Sequence, residues 1–234
     1  MELTSRDNPA FRELLKLTDK RWRKRTNKCI IEGEKIVREN LRAAEKVFVR
    51  KGKTFDNAIT LSTKLFDEIS TLENSTGVLA IVPKPSSRAL TFPYLVLDGI
   101  QDPGNAGALL RSACAFGFET VICIDCVDVW SPKVLRASSG VQFNLNIVEC
   151  GTKDYIKPAK SWLVCADLSG ECIETFRAKD LRFGLVLGSE GKGISAHMKS
   201  LIERTVTIPM KKGVESLNVA VAGGILMYEL EGKV

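Results

Sequence analysis

The stretch Leu97-Asp-Gly-Ile-Gln-Asp-Pro-Gly-Asn-Ala-Gly-Ala-Leu-Leu-Arg111 decides the fold of this chain. An apolar run, Tyr94 to Leu97, leads through a Pro-Gly turn into a helix predicted over Ala106 to Phe116. A buried strand that turns into a helix is the repeating unit of a parallel α/β sheet. Such proteins bind ligands where strands end, so Asn105 and Arg111 are candidate site residues.

The same alternation continues toward the carboxyl end of the chain. A short helix is predicted at Pro132 to Ser138 and a long apolar helix at Ser216 to Glu231. We therefore predict an α/β fold with a parallel sheet covered on both faces. Its further strands are predicted at Thr120 to Ile124, Leu145 to Val148, Trp162 to Ala166, Gly184 to Leu187 and Thr205 to Ile208.

Residues 1–82 mix short strands and helices in a way that predicts a separate small α/β domain. Its first helix is predicted to begin at Pro9 with Asn8 as the N-cap. The segment Pro83 to Pro93 holds three prolines and two serines between two apolar strands, which is typical of a linker. The second domain is accordingly predicted over residues 94–234.

Composition excludes several classes of protein. No stretch of the 234 residues approaches the roughly 20 apolar residues of a membrane span, and the amino terminus lacks a secretory signal, so we expect a cytoplasmic protein. The seven cysteines are scattered and His197 is the single histidine, which does not make a zinc site. Cys123 and Cys126 are predicted to be strand thiols, and no metal is expected.

A basic run extends from Lys16 to Lys28, with seven cationic residues against one acid, Asp19. An aromatic residue inside a basic cluster suits contact with phosphates and stacking on bases. A charge run alone is more often a solvated helix face, so this interpretation depends on a second feature that points to nucleic acid. The candidate RNA-binding residues are Arg21, Trp22, Arg23, Lys24 and Arg25.

Two more stretches follow predicted strands. Leu185-Val-Leu-Gly-Ser-Glu-Gly-Lys-Gly-Ile194 is rich in glycine, which lets the backbone approach a ligand closely. It matches neither a Walker loop nor, given its place near the end of the chain, a Rossmann unit. Ile208-Pro-Met-Lys-Lys-Gly-Val-Glu-Ser-Leu-Asn-Val-Ala-Val-Ala222 leads into the last helix, which Ser216 is predicted to cap.

Together, the three stretches resemble the signature motifs of the SpoU/TrmH family of RNA 2′-O-methyltransferases, in the SPOUT superfamily. The resemblance runs from about Tyr94 to Leu230. It implies a carboxyl-terminal trefoil knot that holds S-adenosylmethionine, and a homodimer with its active site near the subunit interface. The implied cofactor-binding residues are Gly188, Ile208, Met210 and Leu217, and the implied catalytic residues are Asn105, Arg111, Glu190, Ser216 and Asn218.

Two positions depart from the family pattern, with Ala220 where serine is usual and Gly223 where alanine is usual. Both lie beyond the catalytic pair, so they bear on helix packing. In the family, the residue at Arg111 is the proposed base. A guanidinium stays protonated under ordinary conditions, so we expect Arg111 to hold an RNA phosphate and stabilise charge on the attacking oxygen.

The resemblance therefore implies methyl transfer to a ribose 2′-hydroxyl of structured RNA. Ribosomal RNA is favoured over transfer RNA because the chain carries an amino-terminal extension. Two alternatives remain open: a non-catalytic RNA-binding or ribosome assembly factor on the same fold, and an enzyme that methylates a base.

Overall fold

The computed structural model describes residues 2–72, 75–213 and 215–231. The chain divides into two compact units, residues 1–86 with 130–140 and residues 87–129 with 141–234. The predicted linker at residues 83–93 stays a prediction. None of the described helices is both long enough and apolar enough to cross a membrane.

Short strands and helices alternate in the first 83 residues. The elements are β1 (Glu2–Leu3), α1 (Pro9–Lys16), α2 (Lys20–Thr26), β2 (Lys28–Glu32), α3 (Glu34–Glu39), β3 (Lys46–Arg50), β4 (Ile59–Leu61), α4 (Thr63–Ile69) and β5 (Val78–Pro83).

The strands of this first unit form one mixed sheet in the order β1-β4-β3-β5-β2, in which β5 runs antiparallel to both of its neighbours. Asn8 accepts a hydrogen bond from the backbone N–H of Ala10 and so caps α1, as predicted. The apolar face of α1 buries Phe11 and Leu14 in a core that also contains Phe48 and Phe66. Burial of these side chains is what holds the short elements together.

Longer strands and helices follow from residue 94 onward. The elements are β6 (Tyr94–Asp98), α5 (Pro103–Ala115), β7 (Thr120–Ile124), α6 (Pro132–Ala137), β8 (Asn146–Cys150), β9 (Trp162–Cys172), β10 (Phe183–Gly188), α7 (Ala196–Lys199), β11 (Arg204–Thr207) and α8 (Val219–Glu231), with 3-10 turns at Val141–Phe143 and Thr152–Asp154.

The second unit is built on a six-stranded parallel sheet in the order β11-β9-β10-β6-β7-β8. The strand order reverses between β10 and β6, whose last residues Gly188 and Asp98 lie opposite each other. The two glycine-containing loops of the sequence motifs therefore leave the sheet side by side. This is the edge at which α/β proteins bind ligands. The predicted parallel α/β sheet is confirmed, and the knot stays a prediction.

One predicted helix start is wrong. The last helix begins at Val219, and its cap is Asn218, whose side-chain oxygen accepts hydrogen bonds from the backbone N–H groups of Ala220 and Val221. Ser216 was expected to do this because serine and asparagine cap helices about equally well. The two residues after Ser216 are not helical. The helix therefore begins at Val219, and Asn218 is its N-cap.

Gly223 has a clear packing role on α8. A Cβ added there would lie 2.4 Å from Cδ2 of Leu109 on α5 and 2.6 Å from Cδ1 of Leu187 on β10. The two leucines thus occupy the space that the alanine methyl usual in the family would fill. Glycine at position 223 therefore lets α8 pack closely against these two side chains.

The packing of the central sheet can be tested at Gly184, because this residue of β10 lies against the buried ring of Tyr94. A Cβ at Gly184 would lie 2.5 Å from two ring carbons of Tyr94, whose hydroxyl is within hydrogen-bond distance of Tyr155 and Ser161. We expect Gly184→Ala to lower the free energy of unfolding by about 1–3 kcal/mol through overpacking, measured by urea titration.

The matched control is Gly224→Ala on α8, where the added methyl meets Ser112 Oγ at an ordinary 3.5 Å. It should be neutral or stabilising by up to about 1 kcal/mol, since alanine favours helices. Equal stability of the two variants would contradict the packing described for Tyr94.

Candidate active site

The end of β6 organises the site through a buried carboxylate. Asp98 is 4% exposed, and its Oδ2 accepts a hydrogen bond of 2.6 Å from the backbone N–H of Ser195. This attaches the loop after β10 to the end of β6. A few residues on, Asp102 caps α5 by accepting a hydrogen bond of 2.7 Å from the backbone N–H of Asn105. Asn105 is thereby fixed in the first turn of α5.

The loop after β10 closes on itself as a tight turn. Ser189 and Gly193 exchange two backbone hydrogen bonds of 3.1 and 2.8 Å, and Gly193 has a φ of +64°. A Cβ on Gly188 would lie 2.4 Å from the carbonyl carbon of Gly193, so only glycine fits there. The turn presents Glu190 toward α5.

A chain of side-chain amides connects the three motif stretches. Asn105 donates from Nδ2 to a carboxylate oxygen of Glu190, and its Oδ1 accepts a hydrogen bond of 3.0 Å from Nδ2 of Asn218. Asn218 uses its own oxygen to cap α8. Each amide therefore uses both its donor and its acceptor, which fixes its orientation. Three of the five predicted catalytic residues are brought together by this chain.

A cavity of about 820 Å³ opens beside this chain of amides, at the carboxyl ends of β10 and β11 and beside the middle of β9. Its volume lies within the range of small-molecule sites. All four predicted cofactor-binding residues line it: Gly188, Ile208, Met210 and Leu217. The predicted catalytic residues Glu190, Ser216 and Asn218 also line it.

Sequence reasoning missed the cavity wall formed by the middle of β9 and by α7. Asp167 and Lys199 place opposite charges there, and Leu168 adds apolar surface. Hydrogen bonds from the backbone N–H and hydroxyl of Ser169 lower the pKa of Asp167, so its carboxylate stays ionised. The one available signal was positional, since β9 pairs with β10 as far as Cys165 opposite Val186, which brings the residues after Cys165 to the ligand-binding edge of the sheet.

Cys165 also lines this cavity. Whether its thiol is neutral or ionised affects which ligands can bind without reacting with it. Burial raises the pKa of the Cys165 thiol to about 11. The thiol is therefore neutral near pH 7, and the cavity presents no cysteine thiolate that would compete for an electrophilic ligand.

Arg111 lies apart from the other predicted catalytic residues. It is exposed on α5 and does not line the cavity. It follows Asn105 by six residues, which on a helix is about 9 Å along the axis and about a third of a turn away in direction. Its guanidinium is therefore free to meet a ligand that extends beyond the cavity.

The basic run forms α2, and four of its five candidate residues are accessible. Arg21, Lys24 and Arg25 are exposed and Trp22 is half-buried. The prediction that Arg23 contacts RNA is corrected by its burial. Arg23 is 4% exposed, and its Nη1 donates hydrogen bonds of 2.7 and 2.8 Å to the carbonyls of Leu17 and Thr18. It holds the end of α1 and is not available to RNA.

Metal ligation has no support in the described part of the chain. Among residues 2–72, 75–213 and 215–231, no group of three or more His, Cys, Asp and Glu side chains is arranged to hold an ion. Cys123 is buried, and Cys126 is half-buried with its Sγ directed at the carbonyl of Leu97 at 3.2 Å.

The fold and cavity define an α/β protein with a ligand site at the switch point of a parallel sheet. The model of the SpoU rRNA Methylase family matches residues 93–228, and that of the MRM3-like substrate binding domain matches residues 8–80. The chain belongs to the SpoU rRNA methylase family. The family, the fold class and the enzyme class predicted from the sequence are confirmed.

Individual relatives match nearly the whole chain. The 23S rRNA (guanosine(2553)-2′-O)-methyltransferase RlmP of Bacillus subtilis is 29% identical, over 99% of this chain and 99% of its own length. The structure of a putative RNA methyltransferase of the TrmH family from Porphyromonas gingivalis is 30% identical, with a TM-score of 0.82 over 97% of this chain and 98% of its own. The AdoMet-bound rRNA methyltransferase from Sinorhizobium meliloti is 26% identical, with a TM-score of 0.82 over 98% and 96%.

The tight turn at Gly188 generates a prediction about ligand binding. We expect Gly188→Ala to weaken S-adenosylmethionine binding at least tenfold in calorimetric titration, because the methyl group would push the Ser189–Gly193 turn out of place. The control is Gly191→Ala in the same loop, where no atom lies within 4 Å of the added Cβ. Unchanged affinity in Gly188→Ala would show that the turn does not shape the cavity.

Proposed function

We propose that this chain transfers the methyl group of S-adenosylmethionine to a ribose 2′-hydroxyl of ribosomal RNA. The observation that carries the proposal is the cavity lined by the second and third motif stretches, with Glu190 and Asn218 on its wall and both hydrogen-bonded to Asn105 of the first stretch. The named relatives support the substrate class, since RlmP is a 23S rRNA 2′-O-methyltransferase and the Sinorhizobium meliloti relative was solved with AdoMet.

The cavity fits the chemistry of S-adenosylmethionine. Apolar side chains such as Ile208 and Leu217 suit an adenine ring, and the adjoining backbone offers hydrogen-bonding groups to its edge. The ionised Asp167 and the Lys199 ammonium suit the charged ends of an amino acid moiety. Gly188, Ile208, Met210 and Leu217 would hold the cofactor. When bound, it supplies a methyl group that a positively charged sulfur already activates.

The residues of the chain must then orient the ribose and relieve its hydroxyl of a proton. Arg111 grips the RNA phosphate and stabilises negative charge as it develops on the 2′-oxygen. Asn105 and Glu190 position the ribose, because their mutual hydrogen bond holds both side chains at the start of α5, the helix that also carries Arg111. Ser216 and Asn218 order the loop that closes over the cavity.

We further propose that the protein works as a homodimer through α8. Val221, Ile225 and Tyr228 recur at helical spacing and are 52%, 37% and 64% exposed. Such a row of exposed apolar side chains on a largely apolar helix is typical of a buried interface. Tyr228 packs edge-to-face against Phe116, at the end of the helix that carries Arg111. A second copy on this stripe would lie close to Arg111.

The cytoplasmic location stays a prediction, as does the choice of ribosomal over transfer RNA. Loss of the protein should remove one 2′-O-methyl mark from total RNA. The mark is detected as a nuclease-resistant dinucleotide and located by mapping. A base methylation in its place would support the alternative reaction.

Arg111 is tested by Arg111→Ala. We expect kcat on an rRNA substrate to fall by at least about 10²-fold, as for the loss of a charge-stabilising donor, while thermal unfolding and S-adenosylmethionine affinity stay the same. Lys153→Ala, which removes one exposed positive charge elsewhere in the same unit, is the control. Near wild-type turnover in Arg111→Ala would rule out the role given to this residue.

The dimer is tested by a matched pair of substitutions. Ile225→Asp buries a charge in the proposed interface and should shift the protein to monomer in light scattering after gel filtration. Ile156→Asp is the same change at a side chain that is 85% exposed elsewhere and should leave the dimer intact. Tyr228→Glu repeats the test at a more exposed position in case Ile225→Asp unfolds. Monomers in every variant, or dimers in every variant, would contradict the assignment of α8.

A further inference from the structure

A second cavity, of about 330 Å³, lies between α1 and α2 in the amino-terminal unit. Its wall includes the half-buried ring of Trp22 together with Arg12, Lys16 and Thr26. The volume is at the small end of the range for ligand sites. It is suited to a single flat group such as a nucleobase.

The charges around this cavity favour an anionic ligand. Glu13 is the acidic residue in its wall, and it is engaged by Lys46 and, at 3.0 Å, by Lys28. Hydrogen bonding with Lys46 lowers the pKa of Glu13, so this carboxylate stays paired with its two lysines. Arg12 pairs at 2.6 Å with Asp7, but both side chains are largely exposed, and such pairs exchange readily for phosphate. The cavity therefore presents Arg12 and Lys16 as available cations.

The ring of Trp22 is accessible from the cavity. Two cations lie over it, Lys16 with Nζ at 4.7 Å from the ring centroid and Arg25 with Cζ at 5.3 Å. Lys16 lines the cavity and Arg25 does not. What covers the ring on the cavity side is a flexible, exposed lysine, whose cation–π contact is weaker than base stacking.

We propose that this cavity binds one unpaired nucleobase of the RNA substrate, stacked on Trp22, while Lys16 and Arg12 move to the flanking phosphates. The inference rests on the proposed function in taking RNA as the ligand. It also requires that the bound base be unpaired, because a base inside a duplex is already stacked and paired and does not enter a cavity. The amino-terminal unit then selects RNA with a bulged, looped or single-stranded nucleotide.

Tryptophan fluorescence tests the stacking directly. The chain has three tryptophans, and the substitutions Trp130→Phe and Trp162→Phe leave Trp22 as the reporter. A short single-stranded RNA should quench Trp22 emission to saturation, and a hairpin with one bulged nucleotide should do the same. A fully paired hairpin of the same sequence should bind through its phosphates with little quenching. Equal quenching by all three, or by none, would overturn the proposal.

Affinity measurements separate stacking from charge. Trp22→Ala should weaken binding of the bulged hairpin by roughly 5- to 100-fold, and Trp22→Phe should retain most of the affinity. The control is Phe55→Ala, which removes another half-buried aromatic ring with an arginine over it, Arg38 at 4.8 Å. Affinity lost equally in Trp22→Ala and Phe55→Ala, or in neither, would contradict a base site at Trp22.

Lys16 is tested through the salt dependence of binding. Lys16→Met should lower the slope of log K against log salt by about 0.7, the value for one phosphate contact on single-stranded nucleic acid. Lys64→Met, an exposed lysine on α4, should leave the slope unchanged. A slope that is unaffected by Lys16→Met would place no phosphate at this cavity.

Methyl transfer by the wild-type protein, measured on ribosomal RNA in parallel, distinguishes the two proposals. Quenching of Trp22 without any transfer would mean that the proposed function is wrong and the base site is right. Transfer at normal rates with no quenching, and with full activity in Trp22→Ala, would mean the reverse.

Discussion

The side chain of Asn105 is hydrogen-bonded on one side to Glu190 and on the other to Asn218, and the geometry of the site depends on it. These residues come from loops that are 85 and 113 positions away from Asn105 in sequence. An amide suits this place because it offers a donor and an acceptor at once, whereas a carboxylate offers acceptors alone. The carboxylate of Glu190 accepts a hydrogen bond from Nδ2 of Asn105, and Nδ2 of Asn218 donates one to Oδ1 of Asn105.

The fixed position of Asn105 has its own cause in the sheet. Parallel strands bring their carboxyl ends to one edge, and the reversal of strand order between β10 and β6 leaves a crevice there. Asp98 and Asp102 then secure the two loops that leave β10 and β6 by accepting backbone N–H groups. Local hydrogen bonds thus position the loops, and the amide chain joins them to α8.

The sequence predicted the parts of this arrangement that depend on local patterns. The apolar strands, the helix that follows β6 and the glycine at position 188 each follow from propensity or from a motif. The predicted Pro-Gly turn is wrong, because Pro103 and Gly104 are the first residues of α5. Asp167 and Lys199 could not be found in this way, because their importance comes from β9 lying beside β10, which is a fact of topology. Neither residue belongs to a motif or a charge run.

Two errors show how tertiary structure overrides a correct local rule. Arg23 stands in a run of cations, but its place on α2 turns it toward the end of α1, where free carbonyl groups need donors. Ser216 and Asn218 are both good caps, and the choice between them is made by Asn105. The cap that also reaches Asn105 is the one at which α8 begins, because Asn218 accepts a backbone N–H with its side-chain oxygen and donates to Asn105 with its side-chain nitrogen.

The separation between the cavity and Arg111 bears on how the reaction is controlled. Glu190 and Asn218 line the cavity, whereas the Arg111 guanidinium is exposed on another side of α5. In the proposed function, a small molecule inside the cavity does not require Arg111, so cofactor binding and stabilisation of the 2′-oxygen fall to different residues. If Arg111 has the proposed role, methyl transfer requires a ligand long enough to engage both the cavity and Arg111, as an RNA strand is.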